Sequence, residues 1–250
     1  MAHRTLSGLH IALTRESEAN AELAGILGQQ GAVVHDCPLI RIVPPDDPAP
    51  LLHALQHVDE YDWLVLTSVN AARATLSRAK PSPALRIACV GSTTSAFVAS
   101  HGLQVTLQPE RAHSKGMLEA LAGVGVQGAS VLWPRGGAAP TTLKDGLQAL
   151  GAVVDDPVAY GNVPDVTGLE SLSSLLRAGT LQAIAFASSS AAENAAAALV
   201  DGLRQLRIYS IGPSTSRTLE AAGLQVAGEA VDHSARGLAD VIIAGESQRG

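Results

Sequence analysis

The sequence predicts two α/β domains, each a parallel sheet covered by helices on both faces, within 250 residues. Two observations predict this class. Residues 151–164 (GAVVDDPVAYGNVP) repeat residues 31–44 (GAVVHDCPLIRIVP) about 120 positions later, which is the length of a small domain. Short continuous apolar runs also alternate with helical patterns, and parallel strands buried on both faces read as such runs. The chain therefore encodes the same architecture twice.

The elements follow the same order in each repeat. In the first, an apolar strand precedes a helical pattern over 17–30 that ends at Gly31, and in the second the corresponding helix ends at Gly151. The predicted strands are 9–13, 32–35, 62–67, 86–90, 103–107, 129–133, 152–155, 182–187, 206–211 and 224–227. This alternation is typical of a flavodoxin-like doubly wound sheet, here present twice.

Two proline-bounded segments, 37–44 and 156–164, occupy equivalent positions in the repeats. Because proline keeps the preceding residue extended, both segments are predicted to be extended connectors. Two interpretations remain open at this point: paired strands of a hinge between two lobes, or a plain loop in each repeat. Two lobes would form a cleft, and a cleft between domains is a usual place for a ligand.

Composition and charge exclude several classes of protein. The net charge of −6 argues against a nucleic-acid partner, which would need a basic face. No apolar run reaches the roughly 18 residues of a membrane span, and the N-terminal residues lack the apolar stretch of a signal peptide. Cys37 and Cys89 are expected to be free thiols in a reducing compartment. We therefore expect a cytoplasmic protein without a membrane partner.

Motifs for cofactors and metals are missing or misplaced. The GxGxxG pattern at 123–128 follows a helical pattern and precedes a strand, which is the wrong order for a dinucleotide loop. No zinc spacing or phosphate-binding loop occurs, so we expect neither a cofactor nor a metal. No nucleophile and base stand together, so an enzyme built on this chain is expected to work by positioning its substrate.

Polar turns follow the predicted strands and open the next helices, where free N–H groups and the helix dipole favour anions. For any one turn, helix capping explains the hydroxyls equally well. Six such turns, at the carboxyl ends of strands in two lobes, favour a polyanionic ligand. The candidate binding residues are Thr14, Arg15, Thr67, Ser68, Gly91, Thr93, Ser114, Arg135, Ser188, Ser189, Gly212, Ser214 and Thr215.

These residues, taken in order along the chain, resemble the uroporphyrinogen-III synthase family. The resemblance rests on Leu13-Thr14-Arg15, GAVVHDCPLIRIVP, TSVNA (67–71), CVGSTTSA (89–96), VAYGNVP (158–164), FASSSA (186–191) and SIGPSTSRTLEAAGL (210–224). It implies that one domain is inserted in the other. The first would comprise 1–37 plus 165–250 and the second 45–156, joined by a two-stranded β-ladder hinge of 38–44 and 157–164.

The resemblance also implies a reaction. Members of this family, a cyclising hydro-lyase class, close the linear tetrapyrrole hydroxymethylbilane to uroporphyrinogen III, with loss of water and inversion of ring D through a spiro intermediate. The small-molecule substrate carries eight carboxylates, which suits anion-binding turns. Tyr160, in VAYGNVP, matches the tyrosine that the family keeps near its second hinge strand and is our candidate for the general acid. A monomer that receives its substrate from hydroxymethylbilane synthase is expected.

The alternative is a non-catalytic module that binds a ligand between two lobes or senses a tetrapyrrole without turnover. The sequence also departs from a perfect repeat at the candidate site. Ala187 stands where the first repeat has Thr67, and Pro134 stands where it has Thr14. The two lobes therefore present different sets of groups.

Overall fold

The computed structural model describes residues 5–15 and 17–247, with the backbone alone at 17–19. The strands are β1 His10–Leu13, β2 Val33–Asp36, β3 Ile40–Val43, β4 Trp63–Leu66, β5 Arg86–Cys89, β6 Ser130–Leu132, β7 Arg135–Gly136, β8 Val153–Asp155, β9 Val158–Pro164, β10 Ala183–Phe186, β11 Arg207–Ser210 and β12 Val226–Glu229. The helices are α1 Ser17–Gln29, α2 Ala49–Gln56, α3 Val69–Leu76, α4 Ser92–Ser100, α5 Ser114–Val124, α6 Thr142–Ala149, α7 Val166–Arg177, α8 Ser189–Leu203, α9 Pro213–Ala221 and α10 Ala235–Ser247. A single 3₁₀ turn at Val58–Glu60 precedes β4.

The chain divides into two compact units. Unit 1 comprises Met1–Arg41 and Val163–Gly250, of which residues 1–4, 16 and 248–250 lie outside the described residues. Unit 2 is the continuous segment Ile42–Asn162. The boundary between the units falls within β3 and again within β9, and these two strands are neighbours in a three-stranded sheet of order β3-β9-β7. The two proline-bounded connectors are therefore strands of one sheet.

The sheet of unit 1 has the order β12-β11-β10-β1-β2, and the pairs described within it are parallel. Counted along the unit, this is the flavodoxin-like order 2-1-3-4-5. Its two faces carry separate cores because alternate residues of β1 point to opposite sides. Ala12 packs with one cluster, whereas Ile11 and Leu13 pack with the other. Helices thus cover both faces, as the sequence predicts.

Unit 2 has the sheet order β5-β4-β6-β8, again with parallel pairs. Leu107 adds an isolated parallel bridge outside β5. The strand predicted over 103–107 is therefore wrong in extent, since it makes a single bridge at the sheet edge. Counting from β6, its four strands have the order 2-1-3-4, which matches the first four positions of unit 1, so each unit combines strands from both sequence repeats. The prediction of two parallel doubly wound sheets is confirmed.

Local sequence accounts for where the helices begin and end. Ser68 and Ser188 lie at equivalent positions of the two repeats and cap α3 and α8, each accepting the N–H of the residue three positions later. Gly31 and Gly151 have φ values of +94° and +85°, a conformation that glycine adopts without strain, just after α1 and α6. Capped starts and glycine stops position the turns that carry the candidate site.

Candidate active site

In unit 1, three turns follow neighbouring strands at the same edge of the sheet. They come after β1, β10 and β11 and contain Thr14, Ser188 and Gly212 respectively. The side chains of the last two turns meet directly, since Ser189 Oγ lies 2.9 Å from Ser214 Oγ. The structure therefore brings together two turns that the sequence separates by about 25 residues.

The start of α9 has the features of an anion site within this edge. Gly212 is its N-cap residue and Pro213 its first helical residue, and no side chain caps the helix. The first N–H groups of a helix lack partners inside it, so those of Ser214 and Thr215 point out of the helix start. The His233 ring also lies here, because a Cβ on Gly212 would be 2.8 Å from its Cδ2 and Nε2 atoms.

Two of the predicted hydroxyls lie beneath this edge rather than on it. Thr14 is 1% exposed and Thr215 is 2% exposed. The Thr14 hydroxyl donates to the Ala185 carbonyl at 2.9 Å, which ties the end of β1 to β10. Arg15, directly after Thr14, is exposed. The sequence pattern alone does not distinguish these buried threonines from the accessible hydroxyls of Ser189 and Ser214.

In unit 2, equivalent turns follow β4, β5 and β6, which are also consecutive in their sheet. Thr67 accepts a hydrogen bond from the buried Trp133 indole nitrogen at 3.3 Å. Gly91 caps α4 in an extended conformation, and Thr93 in the first turn of that helix is exposed. Ser114, also exposed, is the first residue of α5. These groups stand at the helix starts and strand ends of one unit.

Tyr160 belongs to the same edge of unit 2. It lies on β9, and its hydroxyl is 3.1 Å from Ser68 Oγ at the start of α3. Its ring packs on Gly136, where an added Cβ would be 3.0 Å from Tyr160 Cζ and 3.1 Å from its hydroxyl oxygen. Gly137 N–H donates to the Tyr160 carbonyl at 2.9 Å, which fixes the backbone at this point. The candidate general acid is thus held at both its backbone and its hydroxyl.

Arg135 takes part in an ion-pair group that the sequence analysis did not find. Its Nε donates to Asp156 Oδ2 at 2.8 Å, and Lys144 Nζ donates to Asp156 Oδ1 at 2.7 Å. Burial raises the pKa of Asp156, but the hydrogen bonds and charges of Lys144 and Arg135 outweigh it and hold that pKa below its usual value. Two cations and one anion leave this group with a net positive charge.

The described part of the chain offers no cluster of three or more side chains suited to a metal ion. Within the same residues, no helix is both long and apolar enough to cross a membrane. The glycine-rich segment 123–128 ends α5 and precedes β6, with Gly125 at the helix end in a positive-φ conformation. That order confirms that it is not a strand-to-helix dinucleotide loop.

Comparison with known proteins decides the family. A family model described as "Uroporphyrinogen-III synthase HemD" matches residues 21–240. The chain belongs to the uroporphyrinogen-III synthase family. The resemblance found in the sequence is therefore confirmed, and with it the enzyme class, a cyclising lyase that converts hydroxymethylbilane to uroporphyrinogen III.

Two relatives of this synthase family match over most of their length. The uroporphyrinogen-III synthase of Synechococcus elongatus is 30% identical over 260 residues, covering 95% of this chain and 96% of the relative. A putative uroporphyrinogen-III synthase of Methanothermobacter thermautotrophicus is 28% identical, with 86% and 90% covered. The match thus extends across both units of the chain.

Two solved synthase structures share the fold. That of a mutant synthase from Thermus thermophilus has a TM-score of 0.63 at 15% identity, covering 96% of this chain and all of that one. The synthase from Helicobacter pylori 26695 also has a TM-score of 0.63, at 17% identity, with 94% and 99% covered. At such identities the likeness concerns the fold alone.

Proposed function

We propose that the polar turns of the two units bind the carboxylates of hydroxymethylbilane and that Tyr160 acts as general acid on its departing hydroxyl. The observation that carries this proposal is the Tyr160 hydroxyl, 3.1 Å from Ser68 Oγ at a helix start, at the sheet edge where the other polar turns of unit 2 lie. Each turn of the set supplies hydroxyls, helix N–H groups or a cation.

The chemistry of the turns fits carboxylates. Helix N-termini favour anions through their free N–H groups and the helix dipole, each contributing about 0.3–1 kcal/mol at exposed sites. In unit 1, the start of α9 joins Ser189 and Ser214 to the His233 ring. In unit 2, the ion-pair group adds net positive charge through Arg135 and Lys144. Several modest contacts of this kind together bind a polyanion specifically.

The role of the buried threonines in this proposal is indirect. Thr14 and Thr215 shape their turns from below, so that the exposed Arg15, Ser214 and backbone N–H groups meet the substrate. Gly91 and Gly212 carry no side chain to cover the helix starts that they cap. The exposed hydroxyls of Thr93 and Ser114 complete the set in unit 2.

The reaction needs little acid catalysis and much positioning. Proton donation by a phenol helps the hydroxyl leave as water and gives an electrophilic azafulvene. Ring D then attacks through its substituted carbon, and the spiro intermediate fragments and recloses with ring D inverted. Uncatalysed closure gives the symmetrical isomer I instead. The protein therefore has to hold the chain bent so that the attack at the substituted carbon is preferred.

We also propose a cytoplasmic monomer that takes hydroxymethylbilane from its synthase. Both cysteines are free and buried, which suits a reducing compartment. Segments 38–44 and 157–164 are proposed as the hinge between domains 1–37 plus 165–250 and 45–156. In support, the boundaries between the two units fall within β3 and β9, which are neighbours in one sheet.

The test is an isomer assay. Hydroxymethylbilane is generated in place, purified protein is added, and the oxidised products are separated by chromatography. We expect mainly isomer III, and a Tyr160→Phe variant that folds normally with turnover lowered by up to about 10²-fold. Tyr61→Phe, which removes another unit 2 hydroxyl, is the control and should keep full turnover. Isomer I alone from folded protein would favour the tetrapyrrole-sensing alternative, and unchanged turnover in Tyr160→Phe would remove its catalytic role.

A further inference from the structure

We propose that Ser68 is a positioning residue that orients the Tyr160 hydroxyl toward the substrate, beyond its role as a helix cap. The inference rests on the proposed role of Tyr160 as general acid. Ser68 Oγ lies 3.1 Å from the Tyr160 hydroxyl and 3.1 Å from the Ala71 nitrogen. One serine oxygen therefore connects the start of α3 to the phenol.

The protons and lone pairs of these groups fix the direction of the Ala71–Ser68 bond and allow Ser68 to donate to Tyr160. A serine hydroxyl has one hydrogen and two lone pairs, and a backbone N–H can only donate. Ala71 N–H therefore occupies one lone pair of Ser68, which leaves its second lone pair and its hydrogen for the Tyr160 hydroxyl. In the proposed catalytic arrangement the Ser68 hydroxyl donates to the Tyr160 oxygen. With its oxygen accepting from Ser68, the Tyr160 hydroxyl keeps its own hydrogen for a different acceptor. That acceptor is the departing hydroxyl of the substrate.

The ring of Tyr160 is also confined by a neighbouring glycine. Gly136 on β7 is the ladder partner of Tyr160 on β9. A Cβ at Gly136 would come within 3.0 Å of Tyr160 Cζ, closer than ordinary packing allows. The ring therefore lies against bare backbone on one side while Ser68 holds its oxygen. These two contacts leave the phenol little freedom to turn.

The step that this arrangement serves is balanced within the established reaction. The substrate C–O bond breaks, and its electron pair leaves with the oxygen, which takes the Tyr160 proton and departs as water. The adjacent pyrrole nitrogen supplies electrons to the methylene carbon, which gives the azafulvenium and leaves a phenolate. The Ser68 hydrogen bond stabilises that phenolate, because hydrogen bonds to charged groups are stronger than those between neutral groups. Ring D returns a proton from its free α carbon at the final closure.

The other repeat supplies an internal comparison. Ser188 caps α8 as Ser68 caps α3, with its Oγ accepting from Ala191 N at 3.2 Å. At the position of the second repeat's Tyr160, the first repeat has Ile40, which has no hydroxyl. Both serines therefore perform the same capping, and only Ser68 has a phenol to orient.

The first experiment is a double-mutant cycle on turnover and product ratio. Ser68→Gly removes the hydroxyl while keeping a residue that caps helices well, and Ser68→Thr restores the hydroxyl. We expect Ser68→Gly to lower kcat about 2–12-fold with KM nearly unchanged, and to raise the share of isomer I. Ser68→Thr should recover most of the rate. In the Tyr160→Phe background, Ser68→Gly should have no further effect on kcat.

The remaining outcomes distinguish a failure of the Ser68 positioning role from a failure of the Tyr160 general-acid role. A rise in KM with kcat unchanged would make Ser68 a carboxylate ligand and overturn its positioning role. Independent, multiplying effects in the double variant would also overturn it while leaving Tyr160 as the acid. Full turnover in Tyr160→Phe alone would instead remove the proposed role of Tyr160, and the positioning role would fall with it.

A second readout does not depend on activity. The chain has three tyrosines, so ¹³Cζ-tyrosine labelling yields three resonances, and Tyr160→Phe identifies one of them. Ser68→Gly should shift the Tyr160 resonance, whereas Ser188→Gly, which changes the equivalent cap in unit 1, should leave it in place. An unmoved Tyr160 resonance in Ser68→Gly would contradict the hydrogen bond itself, whatever the enzyme's turnover.

Discussion

The substitution Asp156→Asn should destabilise unit 2 by removing the anion between two cations. The carboxylate accepts from Arg135 Nε at 2.8 Å and Lys144 Nζ at 2.7 Å, and the Asp156 side chain is 14% exposed. An asparagine keeps the shape but loses the charge and one acceptor. Charge-assisted hydrogen bonds contribute about 1.5–3 kcal/mol each, and partial exposure of Lys144 reduces that figure. We expect a loss of about 2 kcal/mol from the free energy of unfolding.

The assay is urea unfolding followed by tryptophan fluorescence. Both tryptophans, Trp63 and Trp133, lie in unit 2, so the signal reports that unit and not unit 1. With a slope of about 2 kcal/mol per molar urea, the midpoint should fall by about 1 M. Glu119→Gln is the control, because it removes an exposed ion pair with Arg111 at 3.5 Å, which should contribute little.

The pH dependence provides a further check with a definite sign. The pKa of Asp156 is depressed in the folded protein, so its contribution is present above the unfolded value near ~3.9. It disappears as the pH falls through the lower folded pKa. The wild type and Asp156→Asn should therefore differ fully at pH 7, and the difference should shrink as the pH falls below the unfolded value and through the lower folded pKa. A midpoint difference that persists undiminished in acid, or a Glu119→Gln loss of equal size, would contradict this role of the Asp156 carboxylate.

Two further predictions concern packing. Gly136→Ala should lower kcat roughly 3–10-fold by displacing the Tyr160 hydroxyl. Gly137→Ala is the control and should keep the rate, because its added Cβ would meet only ordinary contacts at 3.7 and 3.8 Å. Equal rates in the two variants would count against the tight contact between Gly136 and Tyr160. Cys37 and Cys89 are fully buried, and burial raises the pKa of Cys89 to about 11, so a thiol reagent at about pH 8 should label neither until the protein unfolds. Rapid labelling of native protein would contradict this burial.

Strand positions could be predicted from the sequence because apolar runs and glycine stops are local signals. The helix after β1 and its stop at Gly31 needed no tertiary information. The strand exchange between the repeats could not be predicted without tertiary information. Both repeats carry the same apolar pattern, and pairing strands within a repeat or between repeats buries the same surface. Only the resemblance to the family indicated it. The weak pairing near Leu107 was also hidden, since an edge strand and an apolar loop look alike in sequence.

The candidate site was predictable as a set of turns but not as a set of contacts. Hydroxyls and glycines after apolar runs indicate helix starts, which is how Ser68 and Gly212 were found. The pattern does not tell an accessible hydroxyl from one buried like that of Thr14. The partnership of Tyr160 with Ser68 spans about 92 residues, and that of Arg135 with Asp156 about 21, so neither follows from local spacing.

The discontinuity of unit 1 has a consequence for synthesis on the ribosome. Unit 2 is complete once Asn162 has emerged, whereas β1 lies between β2 and β10 and lacks its second neighbour until the later segment is made. At about 5–20 residues per second, translating residues 163–186, which end with β10, takes roughly 1–5 s. During that time the apolar strand of Ile11 and Leu13, fully buried in the finished protein, has an unpaired edge. The amino-terminal segment is therefore open to mispairing during synthesis, whereas the inserted unit can fold as soon as it has emerged.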